Sequence, residues 1–248
     1  MFILDSDSYE SSLESLCNGF SCTPEQLHNV LQSIDIDKIY NDENPDMPSE
    51  EYLYEHVISK LGNHKKLNLV YWFHTTRTLP SNNYENGILT LSLVLSHIWN
   101  ILIENAPNKT IKKDLEFKKI NGISNYQYNL KTTDTFSDGP YGILIKEVSL
   151  HAKRLSQHDY LAIPEIIEDI LDYNETLLAH YRKILVPKIV KFKSTKYLDN
   201  ACIKTTLFYL YRKVRNHKID MNSILCFDGE GEVIVYEDII NVEIVNLN

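Results

Sequence analysis

The distribution of apolar and polar positions along the chain predicts a set of short strands between longer helices. Leu67–Phe73 is almost continuously apolar and aromatic, which is typical of a strand inside a sheet. Apolar clusters or alternation predict further strands at 141–148, 186–192, 224–227, 232–236 and 239–245.

Helical periodicity and end signals predict helices between these strands. Thr23-Pro24-Glu25-Gln26 combines a capping Thr, a Pro at the first helical position and a Gln that completes a capping box, so we expect a helix to about Ser33. A second helix, 50–61, follows Ser49 and ends at Gly62. Other helices are predicted at 90–105, 164–182 and 198–214, whereas the polar residues 107–138 are expected to form a loop.

The order of these elements favours an α+β fold. Helices precede and interrupt the strands without regular βαβ alternation, which favours a mixed or antiparallel sheet. An apolar content of 43% is enough for a sizeable core. We expect two domains, an acidic helical appendage at 1–62 and an α+β catalytic domain at 63–248.

Charge is unevenly distributed along the chain. The net charge is −9, but residues 1–60 hold 13 acidic residues against Lys38 and Lys60, a net charge of −11. Residues 182–218 hold 11 Lys and Arg against Asp199, a net charge of +10. The basic segment is typical either of a phosphate-binding surface or of solvated helix and strand faces. The acidic region could dock on this basic face and occlude a binding cleft, or bind a partner that does.

Several classes of protein are disfavoured by composition. No apolar run is long enough to cross a membrane, and the acidic N-terminus lacks the features of a secretory signal. The four cysteines are scattered and predict neither a disulfide framework nor a zinc site. We therefore expect a cytoplasmic protein with no bound metal and no membrane association.

Two short segments carry the candidate chemistry. The apolar strand at 67–73 is predicted to end in His74-Thr75-Thr76-Arg77, a compact set of hydrogen-bonding groups at a sheet rim. Near the C-terminus, Glu232 follows the turn Gly229-Glu230-Gly231 and precedes an apolar run, so we expect it to open a strand beside the core. A structural His and a solvent-facing Glu are the alternatives, and Glu230 is the competing carboxylate.

Together these segments resemble the ADP-ribosyltransferase superfamily, in its poly(ADP-ribose) polymerase and diphtheria-toxin-like branch. His74-Thr75-Thr76 and the later Gly87-Ile88-Leu89 resemble that family's His-x-Thr/Ser strand and turn, although Thr75 stands where the polymerases have Gly. Glu232–Tyr236 resembles the strand that opens with the family's catalytic Glu. Gly139-Pro140-Tyr141 resembles the entry to the family strand with the conserved Tyr, and Tyr84 and Tyr160 are the alternatives for that residue.

The resemblance implies an NAD-binding site. His74 would hydrogen-bond the cofactor's ribose and Thr76 would fix that strand end. The backbone of Thr75 would bind the nicotinamide amide, and Tyr141 would stack on the nicotinamide ring. Glu232 would stabilise the positive charge at the anomeric carbon as nicotinamide leaves. Arg77 and the basic residues around Lys188, Lys191 and Lys193 would contact the pyrophosphate or a phosphate-bearing target.

The function this implies is NAD-dependent ADP-ribosyl transfer to an intracellular protein or nucleic acid, in a toxin-like or defence-related protein. Its partners would be NAD, the acceptor and an inhibitory partner such as an antitoxin. Three alternatives remain: a non-catalytic interaction protein on a degenerate version of the fold, an NAD glycohydrolase, and an RNA 2′-phosphotransferase-like enzyme. The enzyme hypothesis requires His74 and Glu232 to meet at one cleft.

Overall fold

A computed structural model describes residues 1–43, 45–133 and 138–246 and has an α+β architecture, as predicted. Its strands are β1 (Phe2–Leu4), β2 (Leu67–Thr78), β3 (Tyr141–Ile143), β4 (Val186–Ser194), β5 (Cys226–Asp228) and β6 (Ile239–Ile244). Its α-helices are α1 (Tyr9–Phe20), α2 (Pro24–Gln32), α3 (Ile36–Asp42), α4 (Ser49–Leu61), α5 (Leu91–Glu104), α6 (Lys109–Asn121), α7 (Tyr126–Thr133), α8 (Lys146–Ser149), α9 (Glu165–Ile170), α10 (Glu175–Ile184) and α11 (Asn200–Val214).

The strands form one mixed sheet in the order β5-β3-β2-β4-β6, with β1 paired to β2. β1 is parallel to β2, whereas the pairs β2–β3 and β4–β6 are antiparallel. In the last pair Ile189 lies opposite Glu243 and Val190 opposite Val242, and the register shifts by a bulge after Lys191.

The chain divides into two compact units whose boundaries differ from the predicted division at residue 62. The first unit contains residues 1–73, 143–156 and 193–227, and the second contains 74–142, 157–192 and 228–248. The N-terminal region is also more than helical, because β1 joins the sheet.

The first unit is built around helix α11. Nine of the fifteen residues of this helix are buried, and it packs against α1, α2 and α4. The cations near its C-terminal end pair with N-terminal acids: Arg212 lies 3.3 Å from Asp37 and Arg215 lies 2.7 Å from Asp35. Within this unit, therefore, two cations of the basic segment are paired with acids of the N-terminal region.

The second unit has its own apolar core beneath α5, α9 and α10. The buried Tyr181 hydroxyl donates to the Leu102 carbonyl at 2.6 Å, which satisfies the polar end of an otherwise apolar ring. The rest of this core consists of aliphatic residues and Trp99, and includes Leu115, Ile163, Ile166, Ile167, Ile170, Leu171, Leu178 and Leu185.

The prediction of a loop at 107–138 is wrong, because this range contains helices α6 and α7. The Asn108 side chain accepts from the backbone amides of Thr110 and Ile111, which begins α6, and Gly122 ends it at φ +80°. Leu115 is the buried position of this helix and Ile111 packs partly buried against the same core, whereas Phe117 and Ile120 are exposed, so the apolar residues form no single stripe. Residues 134–137 of the predicted loop lie outside the described part of the chain.

Three other predicted elements differ from those observed. The strand at 141–148 ends at Ile143, and the helix at 164–182 is interrupted where Asp172 and Tyr173 adopt positive φ angles before Asn174 caps α10. The strand at 232–236 is absent, since only Ile234 makes an isolated bridge there. Conversely, β2 continues beyond its predicted end and includes His74 and the three residues that follow it.

Candidate ligand-binding cavity

The second unit contains a cavity of about 650 Å³, within the size range of small-molecule sites. Its walls come from the C-terminal half of β2, the segments 82–89 and 138–141, one face of α5, and residues near the start of α9. The residues predicted from sequence that line it are His74, Thr75, Thr76, Arg77 and Tyr141.

His74 has a defined hydrogen-bonding state in this wall. Its Nδ1 lies 2.7 Å from the Tyr141 main-chain oxygen, and because a carbonyl only accepts, Nδ1 carries the proton. Burial lowers the pKa of His74 below its ordinary value, so the ring is neutral near pH 7. The remaining nitrogen, Nε2, is then a hydrogen-bond acceptor in the wall of the cavity.

The segment before Tyr141 connects His74 to the C-terminal turn. The Gly231 amide donates to the Gly139 carbonyl at 3.0 Å, and the Gly229 amide donates to the Pro140 carbonyl at 2.9 Å. Gly139 and Pro140 themselves line the cavity. The two segments singled out in the sequence therefore meet the same short stretch of chain.

Gly87 lies at a second contact with the C-terminal segment, made by the 82–89 segment of the cavity wall. It has φ +80°, and a Cβ atom there would lie 2.1 Å from the Ile234 carbonyl oxygen. Ile88 and Ile234 form an antiparallel bridge directly beside it. Only glycine fits this position without moving the backbone, which explains the Gly in Gly87-Ile88-Leu89.

Glu232 is held near the cavity wall by the same turn, but it is not among the residues that line the cavity. Its amide donates to the Gly229 carbonyl at 3.0 Å, and the residue is exposed. The predicted burial beside a strand is therefore wrong for Glu232. Glu230 is also exposed on this turn, with φ +54°.

All three candidate tyrosines, Tyr84, Tyr141 and Tyr160, line the cavity. Tyr84 is distinctive because it is 7% exposed and its buried hydroxyl has no hydrogen-bond partner among the described residues. Burial raises the pKa of Tyr84 well above its ordinary value, so the hydroxyl remains a donor. An unpaired buried hydroxyl is costly, and a ligand is one way to satisfy it.

Two of the cations predicted to contact phosphate, Arg77 and Lys188, have main-chain partners instead. Arg77 donates to the carbonyls of Leu185, Leu161, Ala162 and Arg182 at 2.8–3.2 Å. Lys188 is 2% exposed and its ammonium donates to the carbonyls of Leu79, Pro80 and Asn82, while burial lowers its pKa. Both side chains therefore hold the cavity walls in place.

Helix α5 supplies an apolar wall that sequence reasoning missed. Four cavity-lining positions recur at helical spacing along it, which are Leu91, Val94, Ile98 and Ile101. The sequence predicts only a helix at 90–105 here, since apolar periodicity alone does not distinguish a core from a cavity.

Polar residues that the sequence did not single out fix the ends of this wall. Asp138 accepts from the Ser92 amide at 2.7 Å and from the Ser92 hydroxyl at 2.5 Å, which anchors the N-terminus of α5. Lys131 lies 3.1 Å from Glu165 and 2.8 Å from the fully buried carboxylate of Asp169. Lys131, Glu165 and Asp138 line the cavity, but nothing in their sequence context marks them.

The part of the chain that the structure describes contains no group of His, Cys, Asp and Glu side chains that could hold a metal ion. Within the same residues, no helix is long and apolar enough to cross a membrane. Comparisons with known protein families, with curated proteins and with solved structures found no match to this chain.

Proposed function

We propose that the cavity binds the nicotinamide riboside end of NAD and that the protein catalyses NAD-dependent ADP-ribosyl transfer. The observation that supports this most directly is the His74–Tyr141 hydrogen bond at the cavity wall. It joins two residues that the sequence resemblance assigned to cofactor binding. The hydrogen bonds from Gly229 and Gly231 to Pro140 and Gly139 bring the C-terminal turn to the same stretch.

His74 would recognise the ribose. A neutral imidazole whose Nδ1 already donates has an acceptor at Nε2, and a sugar hydroxyl is the complementary donor. Such a bond contributes about 0.5–1.5 kcal/mol and orients the sugar relative to the rest of the site.

The tyrosines would bind the nicotinamide group. Tyr141, 41% exposed at the cavity wall, is assigned to stacking, and an offset aromatic pair adds about 0.5–1.5 kcal/mol beyond its buried area. The Tyr84 hydroxyl would donate to the carboxamide oxygen of the ligand, which gives this buried donor the partner that it lacks among the described residues.

The pyrophosphate would lie outside the cavity. Arg77 is committed to four carbonyl contacts, and Lys131 is paired with Glu165 and Asp169. This arrangement disfavours the RNA 2′-phosphotransferase alternative, which would need basic side chains at the phosphate.

Glu232 is the carboxylate assigned to the chemical step. As the bond between nicotinamide and ribose breaks, positive charge develops at the anomeric carbon, and a nearby carboxylate stabilises it. Nicotinamide leaves with the bonding electrons, and a nucleophile of the acceptor then forms the new bond. The acceptor, protein or nucleic acid, is identified by which macromolecule becomes labelled.

The exposure of Glu232 supports a second candidate function, a protein that binds the same ligand without cleaving it. The two candidates share the cavity and differ only in the carboxylate. Both predict that substitution of His74 weakens the affinity for NAD, but only the enzyme is expected to release nicotinamide.

Both candidates are tested by measuring NAD affinity calorimetrically and nicotinamide release chromatographically, with labelled NAD and cell extract to detect transfer. We expect wild type to bind and release, Glu232→Gln to bind without release, and the matched Glu230→Gln to resemble wild type. Binding without release by wild type would favour the binding protein. Absence of NAD binding would overturn both candidates.

A further inference from the structure

We propose that β6 is a self-pairing edge through which two copies of this chain form an antiparallel dimer. β6 is the last strand of the sheet and is paired to β4 alone among the described residues. An edge strand presents unused amide and carbonyl groups and pairs readily with another strand unless its sequence prevents this.

The register with β4 shows which backbone groups point away from the sheet. The Val245 amide donates to the Pro187 carbonyl at 3.0 Å, and bonded residues alternate along an antiparallel ladder. Glu243 and Asn241 therefore direct their backbone groups toward β4. Val242 and Ile244 direct theirs outward.

The outer surface of β6 is apolar and open. Ile240 is 47% exposed and Ile244 is 54% exposed, and the nearby Val235 and Tyr236 are 49% and 54% exposed. β6 contains neither Lys nor Pro, the residues that most often protect an edge. Its protective features are the charged side chain of Glu243 and the bulge opposite Lys191–Phe192, which leaves the stretch from residue 241 onward regular.

The sequence of β6 matches itself when it is read in the opposite direction. With a two-fold axis at Val242, Val242 lies opposite its own equivalent within the regular stretch, and Ile244 of each copy lies opposite Ile240, the residue at the bulge, of the other. Asn241 then lies opposite Glu243, so an amide donor faces a carboxylate. An axis at Glu243 would instead place two carboxylates together, and an axis at Asn241 would place Glu243 opposite Ile239.

The test is sedimentation velocity and light scattering over a concentration series. We expect the wild type to be a dimer. Asn241→Glu would place a carboxylate opposite Glu243 at two positions across the axis and weaken association on the order of tenfold. Asn241→Lys introduces a side chain of similar length but opposite charge, which would face Glu243 and preserve the dimer. Asn241→Glu combined with Glu243→Lys would restore the dimer.

A second variant separates pairing from folding. Because the Val242 amide points away from β4, Val242→Pro removes an outward donor without removing a bond of the β4–β6 ladder. We expect a folded monomer, with folding checked by circular dichroism. A wild type that is monomeric at its highest soluble concentration would overturn the proposal, as would dimers unaffected by both Val242→Pro and Asn241→Glu.

Discussion

The Nδ1 atom of His74 lies 2.7 Å from the main-chain oxygen of Tyr141, and this contact determines what the imidazole can do. It fixes the tautomer, holds the ring against the 139–141 segment and leaves Nε2 as an acceptor at the cavity wall. A backbone partner also makes this arrangement independent of the side chain at position 141, so Tyr141 can be varied without releasing the histidine.

Acidification is expected to weaken both folding and ligand binding through His74. Its folded-state pKa is lowered by burial, so between the unfolded value of about 6.5 and the folded value the unfolded chain binds the proton first. The free energy of unfolding should fall as pH decreases through this window. NAD affinity should fall as well, since a protonated Nε2 can no longer accept a hydrogen bond from a ribose hydroxyl.

The matched variant for this prediction is His74→Asn, which does not titrate and keeps an amide donor for Tyr141. Denaturant unfolding and NAD titration across pH 5–8 would be compared between the two proteins, a range that spans ordinary histidine titration. Identical pH profiles would show that His74 does not change protonation in this range.

Removing the Tyr84 hydroxyl is expected to stabilise the unliganded protein and weaken NAD binding. Because this buried hydroxyl has no partner in the described structure, Tyr84→Phe should raise the free energy of unfolding by about 1 kcal/mol. Tyr160→Phe is the control, since Tyr160 lines the same cavity. A loss of stability in Tyr84→Phe would mean that the hydroxyl already has a partner in the folded protein.

Arg77 is expected to contribute to stability and not to ligand affinity. Its guanidinium donates to four carbonyls that include those of Leu161 and Leu185, and an ammonium lacks this forked geometry. Arg77→Lys should therefore lower the free energy of unfolding by roughly 2–4 kcal/mol.

Arg182→Lys is the comparison. The Arg182 side chain pairs with the exposed Glu175, so this substitution should lower the free energy of unfolding by less than about 1 kcal/mol. Both effects are measured by urea denaturation, and NAD affinity is measured on protein that is still folded. A large loss of affinity in folded Arg77→Lys would identify this residue as a ligand contact.

Gly87→Ala tests the contact that joins the 84–89 segment to the C-terminal turn. The positive φ alone should cost about 1–2 kcal/mol, and the approach to the Ile234 carbonyl should add about 1–3 kcal/mol. Gly122 has the same φ of +80° with nothing near the missing Cβ, so Gly122→Ala isolates the backbone term. Equal losses of unfolding free energy in the two variants would show that the contact yields without strain.

Local signals in the sequence were accurate where the physical cause is local. The Thr23–Gln26 capping box forms as predicted, with the Thr23 hydroxyl accepting from the Gln26 amide. Gly62 ends α4 at φ +82°, and the apolar run from Leu67 lies in β2. Each of these features depends on groups a few residues apart, which any sequence window contains.

Predictions failed where a distant contact decides between two local structures. Val233-Ile234-Val235 has strong strand character, yet its only bridge is from Ile234 to Ile88, and the chain turns into a 3-10 helix at Tyr236. The polar sequence of α6 gave little periodicity, and Leu115 anchors it to a core that other segments supply.

By itself, the sequence determined the α+β class and the position of the main strand. It also singled out the His74 segment and the C-terminal segment as parts of one candidate site. The tertiary structure alone decided that His74 bonds to the Tyr141 backbone, that Arg77 is bound to carbonyls and that Glu232 is exposed outside the cavity lining. The reason is that secondary structure follows largely from neighbouring residues, whereas burial and hydrogen-bond partners depend on segments more than sixty residues apart.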